Sequence, residues 1–179
     1  MAIRYRDAPK EGLEILQTAL RASAARGPVP DVLRGDWTVG DPLPVYRVDS
    51  IGIRSPSPLA RAKFAGWRYP VATETSRASA FLQSDRGRLR YVGLTEGDFP
   101  GRLMAALVHA NEVLATGDQD YEARLLEVYA LPFFALWLYE PRRGTLVETP
   151  SVPAVPVFRP GSRGNAHRHL RRIVEEARL

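Results

Sequence analysis

Between residues 7 and 27, Leu13, Leu16 and Leu20 recur at helical intervals, and Ile15 and Ala19 widen the stripe. That spacing predicts an amphipathic helix. Asp7 supplies an N-cap, and Pro9 falls in the first turn, where a missing N–H costs nothing. Gly27-Pro28 stops the helix. A second stripe, Phe99, Leu103, Ala106, Leu107, Ala110 and Leu114, predicts another helix, capped by Asp98 and ended by Gly117. A third is expected at the C-terminus, where Asn165 caps a run with Ala166, Leu170, Ile173, Val174 and Ala177 on one face.

Elsewhere the period drops to two. Val45–Val48 is short and β-prone. The Arg-Ser-Pro-Ser-Pro run at 54–58 breaks the chain, and Ser57-Pro58 can open one short helix through Phe64. From Trp67 to Thr75, aromatic and β-branched residues alternate with Arg68, Pro70, Ala72 and Glu74, which predicts a half-buried strand. Pro70 suggests an edge or a bulge there. Ser79–Gln83 and Arg88–Val92 flank Ser84-Asp85-Arg86-Gly87, a hairpin signature. Leu125–Leu131 and Phe133–Tyr139 follow, and the second is apolar on both faces, as in a strand covered on both sides. Thr145–Thr149 is a return strand.

The predicted order is α–β–β–β–β–α–β–β–β–(β)–α, with strands in hairpin-linked runs. The expected class is therefore α+β, a mostly antiparallel sheet packed by two or three amphipathic helices. With 179 residues the chain reads as a single domain, 1–179. Pro150, Pro153, Pro156 and Pro160 mark an extended crossing at 150–161 that leads to the C-terminal basic helix.

Composition removes several kinds of chemistry. There is no cysteine, so disulfides, thiolate zinc sites, iron–sulfur clusters and cysteine nucleophiles are all out. No P-loop or Gly-rich dinucleotide turn occurs. Asp118, Asp120 and Glu122 alternate like the start of a calcium loop, but the later glycine and glutamate are missing. His109 lies off its helical stripe, and His167 and His169 point apart on a helix, so no metal site and no cofactor are expected. No apolar run is long enough for a signal peptide or a membrane span, so the expectation is a cytoplasmic protein with no membrane partner.

The cations change the picture more. Of 25, all but Lys10 and Lys63 are Arg, the side chain suited to bidentate pairing with carboxylate or phosphate. Residues 118–150 carry three cations and six anions, and residues 151–179 carry six and two. Arg159, Arg163, His167, Arg168, Arg171 and Arg172 therefore surround the start of the last helix, a candidate anion site. The alternative is pairing with the acidic 118–150 segment. A second candidate is an aromatic-lined sheet pocket built from Trp67, Tyr69, Tyr91, Trp137 and Tyr139.

No catalytic constellation emerges from the residues, so an enzyme is not the first expectation. That expectation is a non-enzymatic interaction or assembly subunit of bacterial or phage type, docking on a protein partner or on itself. The alternatives are a nucleic-acid or phosphate binder acting through the C-terminal arginines, and a small-ligand binder or enzyme using the aromatic pocket.

Overall fold

In a computed structural model, residues 3–26, 29–49, 51–55, 58–114, 121–128, 133–139, 147–152 and 155–159 are described below. The strands are β1 (Ile3–Arg4), β2 (Thr38–Val39), β3 (Leu43–Val48), β4 (Lys63–Ala72), β5 (Arg77–Asp85), β6 (Arg88–Glu96), β7 (Tyr121–Val128), β8 (Phe133–Tyr139), β9 (Val147–Val152) and β10 (Val155–Arg159). The helices are α1 (Lys10–Arg26) and α2 (Asp98–Leu114). The class is α+β. Residues 160–179, where the third helix is expected, lie outside the described part.

The chain divides into two units, each assembled from separated stretches. One comprises Tyr5–Pro44 and Ala65–Met104. Its β4, β5 and β6 form an antiparallel ladder, with β2 adding two residues beside Val71 and Ala72. Helix α1 covers one face of this ladder. Leu16 and Leu20 are fully buried and pack with Trp67, Tyr69, Val71, Ala78, Ala80 and Leu82. These ladder residues lie at alternate positions or directly opposite one another in the register, so they share a face.

The hairpin between β5 and β6 turns at Arg86 and Gly87, with φ of 48° and 80°. Two left-handed residues in succession make a type I′ turn, whose twist matches that of the strands. At Gly66, φ is +149° and an added Cβ would collide with the backbone carbonyl of Leu82. Only glycine lets β4 approach β5 so closely there.

Pro70 stands in an unbroken register between Tyr69↔Ala80 and Val71↔Ala78, so there is no bulge at that position. Its carbonyl accepts from the Gly40 N–H at 2.9 Å, on the β2 side. In a strand a residue's N–H and C=O point the same way. The missing N–H is therefore on the side away from β5, and that ladder loses nothing. The irregularity falls instead between Phe81 and Leu82, opposite a bulge at Val92 of β6.

The other unit comprises Met1–Arg4, Val45–Phe64 and Ala105–Leu179. Its sheet corrects the expectation of a mostly antiparallel arrangement. β7 pairs parallel with β3 and β1, and β8 pairs parallel with β10, while β7–β8 and β9–β10 are antiparallel. Hairpin-like spacing in sequence hid the parallel pairs, because none of them joins strands that follow one another directly in the chain. The segment read as an extended crossing contains the end of β9 and all of β10.

β8 matches the expected strand, and Ala135, Leu136, Trp137 and Leu138 are all buried. Val48, Leu126, Val128, Ala135 and Trp137 pack with Ile53 and Leu59, which come from 3-10 turns at Gly52–Arg54 and Pro58–Arg61. The second turn stops at Arg61, so Phe64 belongs to β4 and not to a helix. β7 starts earlier than its sequence suggests. Tyr121 and Ala123 are buried between the charged Glu122 and Arg124, which disguise the alternation.

Candidate anion-binding face

The face of the β4–β5–β6 ladder turned away from α1 follows from the register. Leu82 faces α1, so its neighbours Phe81 and Gln83 face the other way. Arg68 is opposite Phe81, Arg90 opposite Gln83 and Arg88 opposite Asp85. Arg77 precedes Ala78, which faces α1, so Arg77 joins them. Glu96 pairs with Ala78 and lies on the α1 side, where its Oε1 accepts from the Val32 N–H at 3.3 Å. Three strands thus present four arginines on one face against a single carboxylate, Asp85.

These arginines differ in role. Arg68 is buried, 6% exposed, and its guanidinium lies 5.3 Å from the Phe81 ring centroid and 5.2 Å from that of Phe99. Its Nη1 is 3.5 Å from Ser79 Oγ. Arg68 therefore ties the first turn of α2 to the ladder through two rings. Arg77, Arg88 and Arg90 are exposed, and none makes an ion pair with the described residues. They leave a positive field at the surface.

At the Arg77 end of this face is a cleft of about 680 Å³, lined by Glu74, Thr75, Ser76, Arg77, Gly97, Gly101 and Arg102. The β4–β5 turn forms one wall, where Thr73 Oγ1 accepts from the Ser76 N–H at 2.9 Å. The start of α2 forms the other. Two guanidinium groups, two hydroxyls and one carboxylate converge there.

The expected aromatic pocket divides between the two units. Trp67 and Tyr69 are buried core under α1, and Tyr91 packs half-buried against them. The Tyr69 Oη is buried with no partner among the described residues, and burial raises the phenol's pKa above its ordinary value. Trp137 and Tyr139 belong instead to a cluster around Arg124. Its guanidinium lies 3.5 Å from the Tyr139 centroid, 4.6 Å from Tyr46 and 5.1 Å from Trp137, and Nε donates to Glu122 Oε1 at 2.8 Å. The chain's own arginine fills this aromatic cage.

Of the expected C-terminal anion site, Arg159 is the last residue of β10. Arg163, His167, Arg168, Arg171 and Arg172 lie outside the described residues. His109 is half-buried on α2. Among the described residues no cluster of His, Asp or Glu is arranged to hold a metal ion, and no helix is long and apolar enough to cross a membrane.

Arg77, Arg88, Arg90 and Arg102 were not among the sequence-derived candidates. A signal was present: Arg88 and Arg90 alternate with Leu89 and Tyr91, so one side of the strand is basic while the other is apolar. The link to Arg77 needs the pairing register. No protein family, no curated protein and no solved structure matches this chain.

Proposed function

We propose that this chain is a non-enzymatic binding protein that docks an acidic partner on the arginine-bearing face of the β4–β5–β6 ladder. The observation that carries this reading is the register. It sets Arg88 and Arg90 at one end of the face and Arg77 at the other, all three exposed, while Asp85 is the one carboxylate that these strands place on that face among the described residues. A guanidinium offers a planar donor fork to carboxylate or phosphate, and its charge raises the on-rate of an anionic partner.

The test is retention on an immobilised polyanion at low salt. The variant Arg77→Gln/Arg88→Gln/Arg90→Gln is expected to elute well before the parent chain. A second variant, with Arg163, Arg168, Arg171 and Arg172 changed to Gln, is expected to stay close to the parent. If the second loses retention and the first keeps it, the docking face is the C-terminal cluster and this assignment is wrong.

A further inference from the structure

We infer that the outer edge of β6 takes an extended acidic peptide, which adds an antiparallel strand to the β4–β5–β6 ladder and sets its carboxylates against Arg88 and Arg90. This rests on the anion-binding reading above and names the class of partner. All the residues involved belong to one unit of the chain.

The edge follows from the pairing. Among the described residues β6 pairs with β5 alone. Asp85 and Arg88 close the type I′ turn, and across such a turn the C=O of the first residue accepts from the N–H of the last. Backbone direction alternates along an antiparallel strand, so Arg88 and Arg90 point their N–H and C=O groups at β5. Leu89 and Tyr91 point theirs outward, where no described strand receives them. No residue of β6 is buried, whereas Ala78–Leu82 of the adjacent β5 are buried without a break. The regular edge runs from Arg88 to Tyr91. It ends at the bulge, since Leu82 pairs with Tyr91 and Phe81 with Gly93, which leaves Val92 over.

The side chains select the occupant. On the face turned away from α1, Arg88 and Arg90 are exposed and about 6.8 Å apart along the strand. On the other face Leu89 and Tyr91 are half-buried against the α1 core. An added strand has the same two-residue repeat. Its residues opposite the arginines share the arginine face, and those between share the apolar one. The fitting pattern is therefore acidic and apolar residues in alternation.

Two other occupants fit worse. Antiparallel pairing of Arg88–Tyr91 with a second copy, like face beside like face, sets Arg88 opposite Arg90 or Arg90 opposite itself. Like charges directly opposite are destabilising. The arginines thus act against self-pairing, as charges on natural edges do. A DNA backbone offers acceptors but no donors, so it leaves the outward carbonyls of Leu89 and Tyr91 unmatched, whereas a peptide supplies both.

The experiment uses the full chain and a fluorescently labelled octapeptide of alternating glutamate and valine, read by anisotropy at low salt. Binding is expected, and Arg88→Gln/Arg90→Gln should weaken it by about two- to thirty-fold, the range for two exposed ion pairs. Arg88→Glu/Arg90→Glu should reject this peptide and accept its lysine–valine counterpart. Urea unfolding verifies that each variant keeps the fold. The backbone is tested on the peptide itself. Methylating the valine amides removes the N–H groups that face β6 and should abolish binding. Methylating the glutamate amides, which face away, should leave binding close to that of the parent peptide. Amide hydrogen exchange at Leu89 and Tyr91 should slow on binding, while Arg88 and Arg90, already bonded to β5, should change little.

The outcomes separate the two readings. Undiminished binding of the valine-methylated peptide overturns the added strand and leaves the anion-binding face standing. So does a peptide that fails to bind while the chain is still retained on a polyanion through Arg88 and Arg90. Loss on methylating the glutamates instead overturns the antiparallel register. A dimer in solution that the peptide splits gives the edge to a second copy and overturns the peptide as its occupant. An oligodeoxynucleotide that protects the Leu89 and Tyr91 amides as the peptide does overturns the choice of a peptide. Absence of binding to the peptide and to every polyanion at low salt overturns both readings.

Discussion

Gly12 and Tyr69 offer a sharp test of how α1 is seated. A Cβ added at Gly12 would lie 2.5 Å from the Tyr69 Oη, and next nearest are Leu89 Cδ1 at 3.3 Å and Leu82 Cδ1 at 3.6 Å. Gly12→Ala should gain up to about 1 kcal/mol from helix propensity. The forced contact should cost about 1–3 kcal/mol, as overpacking does in a filled core. The single variant is therefore expected to be neutral or destabilised by up to about 2 kcal/mol. Tyr69→Phe deletes a buried hydroxyl that has no partner among the described residues, and should be neutral or stabilising by about 1 kcal/mol. In that background the nearest atom to the new methyl is a leucine methyl at 3.3 Å, so Gly12→Ala should become stabilising. The double-mutant cycle, measured by urea unfolding, should give a coupling of about 1–3 kcal/mol. Effects that add to within about 0.5 kcal/mol would refute the placement of the phenol against α1.

Other consequences follow from the same packing. Burial raises the pKa of Tyr5, Tyr69 and Tyr91, with Asp41 adding to the effect at Tyr5. The unfolded chain therefore loses these protons first, so the part of stability that these phenols supply is intact below about pH 10 and is lost as the pH rises above it. In Tyr69→Phe that alkaline loss should be shallower by urea midpoint; an identical profile would place the phenol in solvent. Arg86 occupies a left-handed position at the hairpin turn, so Arg86→Asn or Arg86→Gly should stabilise by about 1 kcal/mol, a rise in Tm of about 2–4 °C. A fall in Tm would count against a type I′ turn. Arg124→Ala empties the ring cluster and strands a half-buried Glu122, which should cost about 2–4 kcal/mol and alter the tryptophan emission through Trp137. Unchanged emission would place Trp137 away from Arg124.

Parts of the site were within reach of sequence reading and parts were not. The hairpin was legible because its turn residues and alternation are local, and the basic side of β6 could have been read from Arg88 and Arg90 alone. Arg77 could not be joined to them, because the link runs through the register of β5 against β4 and β6. Trp67 and Tyr69 read in the sequence as lining residues of an aromatic sheet pocket, yet helix α1 turns that face into core. Trp137 and Tyr139 looked alike for the same reason, and an arginine from β7, thirteen residues before Trp137, fills the space between them.

The sequence by itself determined the local elements. Leucine spacing and a C-terminal glycine specify α1, the continuous apolar run specifies β8, and Arg86-Gly87 specifies a tight turn, because each depends on neighbours within a few residues. Which strands run parallel, and which side of each strand meets a helix, was decided only by tertiary structure. β3 joins β7 across roughly eighty positions, and no periodicity encodes a partner at that distance. The same holds for charge. A surplus of arginine is a property of the sequence, but a row of arginines on one face exists only once the strands have paired.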